Sequence, residues 1–85
     1  MSKNVTTYDC EQGTILKSYS TFVAFKSKDG NHFITRKKHS KTTSRHINDF
    51  FGGKEIVENI DKVFQTDLDV IGKFLEAYHK WEIYF

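Results

Sequence analysis

The chain has 85 residues, a net charge of +2, no proline and one cysteine. That length gives one small domain, residues 1–85, which buries only about 60–65% of its unfolded surface. The lone Cys10 excludes an intrachain disulfide and reads as a structural thiol before a nucleophile. No window approaches the ~20 apolar residues of a membrane-spanning helix, so no membrane partner is expected.

Met1–Tyr8 lacks a long apolar run, so no secretory leader is expected and the chain reads as soluble and cytoplasmic. Eight Phe, four Tyr and one Trp offset the small size, because aromatic side chains bury much area per residue. Charge is unevenly divided. Residues 26–45 hold seven bases and one acid, a net +6, whereas residues 46–85 hold eight acids and four bases, a net −4. A basic segment attracts polyanions, and an acidic remainder limits indiscriminate adhesion to them.

In chain order, Val5–Cys10 and Ile15–Tyr19 are β-branched and aromatic candidates for extended structure, separated by Gly13. Thr21–Lys26 reads as a strand with two apolar faces, Phe22 and Ala24 on one and Val23 and Phe25 on the other. The Asp29-Gly30 pair then predicts a β-hairpin over residues 21–36, because Gly30 tolerates positive φ. A third strand or a helix must cover that hairpin.

The segment from Arg36 to Gly53 follows. Thr42, Thr43 or Ser44 is the expected N-cap of a helix running roughly from Ser44 to Phe51. Ile47, Phe50 and Phe51 supply its apolar face, and Gly52-Gly53 its left-handed stop. Residues 54–64 fit an amphipathic helix, with a short strand at Lys62–Gln65 as the competing reading. Thr66 is the expected cap of a last helix, Asp67–His79, carrying a stripe of Leu68, Ile71, Leu75 and Tyr78. Trp81–Phe85 alternates like an edge strand or a packed tail. The expected fold class is α+β: a small antiparallel sheet of two to four strands, built on the hairpin and covered by two or three short helices.

No Gly-rich phosphate loop, nucleophile elbow or catalytic triad spacing occurs, and no carboxylate pair is defensible as acid and base. His32, His39, His46 and His79 are scattered without zinc-ligand spacing. Neither enzymatic activity, cofactor nor metal is expected. The candidate site is the basic, hydroxyl-rich helix N-terminus: Arg36, Lys37, Lys38, Lys41 and Arg45 for charge, Thr42, Thr43 and Ser44 for short hydrogen bonds to phosphate. The competing reading is that the hydroxyls only cap the helix and the bases are solvated. Tyr19, Phe22, Phe25 and Phe33 are either base-stacking residues or core.

Ser18–Phe25, the Asp29-Gly30 turn and above all His39–Asn48 resemble small uncharacterised domains in phage and prophage proteins of Gram-positive bacteria. In that group a valine-alanine-aromatic strand pair leads into a Ser-x-Thr-Thr-Ser-basic-His-Ile-Asn segment. The likeness covers about residues 19–48, and His39 stands where the group usually has an aromatic. It implies a phage-type protein that acts by binding in a bacterial cytoplasm. The leading expectation is therefore a non-enzymatic module that docks nucleic acid backbone through residues 36–45. The alternative is an inhibitor of a host bacterial protein, a defence nuclease or replication factor, presenting Asp61, Asp67, Asp69 and Glu76. A third is a self-associating structural protein using the aromatic tail and an open sheet edge.

Overall fold

Alternating β-branched and aromatic residues put the first third of the chain into a meander. The computed structural model describes residues 5–83, with side chains through His79. Strands β1 (Val5–Cys10), β2 (Gly13–Ser18), β3 (Thr21–Ser27) and β4 (Phe33–Thr35) pair antiparallel in sequence order. The expected hairpin is present. Gly30 has φ 92°, and Asp29 Oδ1 accepts from the Asn31 N–H at 3.0 Å to hold the turn. Residues 36–60 then pass through α1 (Lys41–Phe51) and α2 (Lys54–Glu58) before β5 (Asp61–Val63) pairs parallel with β4. Helix α3 (Gln65–Ile83) follows immediately.

The sheet is thus mixed and five-stranded, in order β1-β2-β3-β4-β5, larger than the two to four antiparallel strands expected. The difference arises at both ends. Val5–Cys10 pairs along its full length with β2, and Asp61–Val63 takes the outer edge of β4, whose polar groups would otherwise lack partners. Residues 54–64 accordingly do not form one helix: α2 ends at Glu58, and the strand reading holds, displaced to Asp61–Val63. Arg36 N–H extends the parallel ladder by donating to Val63 O at 2.8 Å.

A register shift between Leu16 and Lys17 sets the two faces of the sheet. Leu16 pairs with Ala24 and Lys17 with Phe22, so Val23 is an extra residue on β3. Strict alternation would put Phe22 with Ala24. Instead Val23 and Ala24 join Leu16, Ile34, Ile47 and Phe51 in one core, beneath α1 and α2. Phe22 and Phe25 join Ile15, Leu68 and Leu75 in a second core, beneath α3. The sheet is therefore covered on both faces by different helices, as the two apolar faces of β3 require.

Helix α3 begins at Gln65, so Thr66 lies inside it, and it continues through Ile83 where a strand or tail was expected. Tyr84 and Phe85 lie outside the described residues. Its inward side is Leu68 and Leu75, whereas Ile71 and Tyr78 of the expected stripe stay exposed with Val70 and Phe74. Gly72 explains how the helix sits so close to the sheet. A Cβ there would lie 2.3–2.4 Å from ring atoms of Phe22. Gly72→Ala should therefore destabilise by about 1–3 kcal/mol through overpacking, although alanine is the better helix former by about 1 kcal/mol. Urea unfolding that shows a gain in stability would contradict this packing.

Glu76 pins α3 to the meander. It accepts from Lys17 Nζ at 2.8 Å and from the Tyr8 hydroxyl at 3.2 Å. The hydrogen bond to Glu76 raises the Lys17 pKa, and burial, then the Glu76 charge, raises that of Tyr8. A pKa higher in the folded state than in the unfolded one contributes stability that is complete below the unfolded value. That contribution is lost as pH rises through the folded value. Unfolding free energy should therefore decline above about pH 10. Glu76→Gln should cost about 0.5–1 kcal/mol at neutral pH, a modest figure for a partly exposed pair, and should flatten the alkaline decline. Urea melts of both forms from neutral to alkaline pH check this.

Candidate functional site

Four hydroxyl residues crowd the start of α1, and tertiary packing decides which one caps it. Ser40 is the N-cap, with φ −70° and ψ 165°, its Oγ accepting from the Thr43 N–H at 3.2 Å. The helix begins at Lys41, three residues before the expected start, and the cap is none of Thr42, Thr43 or Ser44. Thr43 is buried because it opens the inward row Thr43, Ile47, Phe51. The stop is as expected: Gly52 is left-handed at φ 93°, and its N–H returns to Asn48 O.

Thr43 is one link in a chain of side-chain hydrogen bonds. Ser40 Oγ donates to Thr43 Oγ1 at 3.2 Å, and Thr43 Oγ1 meets Ser18 Oγ at 3.1 Å. Ser18 Oγ meets His46 Nδ1 at 2.8 Å. Ser18 is 2% exposed, so α1 is tied through buried polar contacts to the last residue of β2.

Beside this chain lies a cavity of about 240 Å³. It is lined by Ser18, Tyr19, Thr21 and Val23 from the β2–β3 hairpin, and by Thr35, Lys37, Lys38, His39, Ser40, Thr43 and Gln65. The loop after β4 is fixed by local bonds. Lys37 N–H donates to Thr35 Oγ1 at 3.1 Å, and His39 Nδ1 lies 3.1 Å from Lys37 O. Thr35 Oγ1 in turn donates to Gln65 Oε1 at 2.7 Å. β4 pairs only with Ala24 and Phe25, so the Phe22 carbonyl lies beyond that ladder; Gln65 Nε2 satisfies it at 2.6 Å. On the loop's other flank a depression of about 400 Å³ is lined by Arg36, Lys37, Lys38, Lys62 and Glu58 among others.

The structure brings together Lys37, Lys38 and Thr43 of the expected site residues at the cavity. Arg36 lies on the opposite flank, its guanidinium 4.9 Å from the Phe64 ring centroid. Lys41, Thr42 and Arg45 are exposed along α1, and Ser44 is half-buried. None of the five bases is ion-paired among the described residues, where the pair is Lys17 with Glu76. Thr43 is internally bonded, so its hydroxyl supports the site's architecture.

Sequence reasoning missed Thr35, Gln65 and Lys62. Lys62 sits in the acidic half of the chain and reaches the basic loop only through the parallel pairing of β5. Of the four aromatics considered for stacking, Phe22 and Phe25 are buried and Phe33 is half-buried. Tyr19 is 51% exposed at the cavity rim, with its ring centroid 5.8 Å from that of His46. Tyr19 also has φ 57° in a two-residue turn that favours Gly or Asn. A bulky residue there costs about 1–2 kcal/mol.

The histidines are each engaged separately: His32 with Ser27 N–H, His39 with Lys37 O, His46 with Ser18 and His79 with Asp9 O. No group of three metal-ligating side chains occurs among the described residues. The four acids of the alternative reading are also divided. Asp69 accepts from Gln65 and Glu76 from Lys17, while Asp61 and Asp67 are exposed.

Residues 1–67 match a family of unknown function, DUF8033, and the chain belongs to that family. No curated protein and no solved structure matches the chain. Every residue lining the cavity falls within the family match, whereas most of α3 falls beyond it.

The assignment of the cap is directly testable. Ser40→Ala should lower stability by about 1 kcal/mol. Thr42→Ala, which removes an exposed hydroxyl, should change it by less than about 0.5 kcal/mol. Chemical denaturation of the two variants checks the order.

Proposed function

We propose that this member of a family of unknown function is a small non-enzymatic binding module that docks the phosphate backbone of nucleic acid. The observation that carries the reading is the basic loop itself. Arg36, Lys37 and Lys38 are exposed, are not ion-paired among the described residues, and separate two depressions, with Lys62 across one of them. Lys41 and Arg45 extend the same charge along α1. Unneutralised cations on a fixed loop repel one another, and a polyanion relieves that repulsion by releasing its counterions. The resemblance of residues 19–48 to phage and prophage domains supports a bacterial cytoplasm as the setting for this activity. Among the described residues no helix is long and apolar enough to cross a membrane.

A second reading, inhibition of a host protein, is favoured by a different feature. Val70 and Phe74 on the outer side of α3 are each 70% exposed, beside half-exposed Tyr78. On that reading the contact is apolar, and the divided acids contribute less than the sequence suggests.

Binding to labelled oligonucleotides across a salt series separates the two. Affinity should fall steeply with salt, and Lys37→Gln with Lys38→Gln should reduce the log–log slope by about 2. Salt-independent binding, or a slope unchanged by the double substitution, would overturn the backbone reading. A partner held by α3 would be indifferent to both lysines.

A further inference from the structure

We propose that the 240 Å³ cavity takes one unpaired nucleotide, its base stacked on Tyr19 and its phosphate held by Lys37 and Lys38. This rests on the backbone-docking reading and narrows its ligand to single-stranded nucleic acid.

Three observations converge. The first is Tyr19. Phe22 and Phe25 sit in a core, whereas Tyr19 stands half in solvent and in a left-handed backbone conformation that glycine would occupy without strain. Core packing therefore does not account for a large aromatic at this position. Its ring is steadied by His46, which Ser18 fixes in turn, so the platform is pre-set.

The second is size. The cavity is smaller than the ~300 Å³ lower bound usual for small-molecule sites. It suits one ring system better than an intact cofactor. A duplex keeps its base faces stacked inside, so an aromatic reaches a base face only where the strand is unpaired.

The third is the lining. Lys37 and Lys38 line the same cavity as Tyr19, and Thr21, His39 and Ser40 add hydrogen-bonding groups to its lining. An aromatic and two cations in one cavity are the groups that a base joined to its phosphate requires. Stacking tolerates any base, so the slot selects single strands over duplexes more than it selects sequence.

The test is fluorescence anisotropy at low salt with four short probes of equal phosphate number: oligo-dT, oligo-rU, an abasic deoxyribose-phosphate strand and a duplex. Base-bearing single strands should bind at least about fivefold tighter than the abasic strand. Tyr19→Gly should erase that advantage while melting no lower than the parent chain, because it relieves the backbone strain. Tyr19→Asn, which also tolerates left-handed backbone, serves as a second ring-less variant, and Tyr19→Phe should retain the advantage. Equal binding of abasic and base-bearing strands, or unchanged binding in both ring-less variants, would overturn the nucleotide slot. If the lysine substitutions still weakened binding in that case, backbone docking would stand alone. Failure of every probe to bind at low salt would overturn both.

Discussion

The extra residue in β3 is the constraint from which the rest of the structure follows. A regular strand would divide Phe22, Val23, Ala24 and Phe25 by strict alternation and mix small with large side chains on each face. The bulge instead places both phenylalanines on the α3 side and Val23 with Ala24 on the α1 side. The α3 side then carries bulk, and Gly72 removes a Cβ so that the helix can rest on Phe22. The α1 side carries small side chains, and Ile47 and Phe51 supply the missing volume from the helix. Each face is thus filled by complementary sizes, which a chain this short needs without a disulfide.

The same irregularity builds the cavity. Val23, the inserted residue, contributes to its wall. The Phe22 carbonyl lies just past the end of the β4 ladder and would be left without a partner. Gln65 reaches it from the first turn of α3 while also accepting from Thr35. One amide side chain therefore closes the sheet end and ties α3 to both β3 and β4. Burying Ser18, Thr35 and Thr43 is tolerable because each is bonded. Among the described residues no buried side-chain polar atom lacks a partner.

Local chemistry made much of this legible. The Asp29-Gly30 turn and the Gly52 stop depend on neighbours in sequence and stand as expected, whereas the two apolar faces of β3 hold other residues than strict alternation predicts, Phe22 with Phe25 and Val23 with Ala24. What was not legible depended on partners distant in sequence. The cap fell to Ser40 because Thr43 was drawn inward by Ser18, 25 residues away. β5 has three residues, too few to show a period, and exists because β4 offers an open edge. The outward-facing Ile71 and Tyr78 misled because α3 is apolar on both sides, so periodicity alone does not say which side faces in. At the candidate site the cations were legible from composition. Tyr19 was legible only as one of four aromatics until packing placed Phe22 and Phe25 in the core and Phe33 against it.

The position of the cavity also follows from topology. β4 and β5 are the parallel pair, and each leads at its carboxyl end into a helix, α1 and α3 respectively. Both helix starts meet at the cavity, Ser40 and Thr43 from one and Gln65 from the other. In sheets with parallel strands, ligands settle outside the carboxyl ends because loops and helix N-termini converge there and leave a crevice. Here the crevice is small, its floor is a saturated hydrogen-bond network, and its rim carries the exposed charges. The floor therefore has little capacity to rearrange around a ligand, and selectivity must come from the rim. On the proposed reading, that division leaves stability to Ser18, Thr43 and Gln65, and recognition to Tyr19, Lys37 and Lys38.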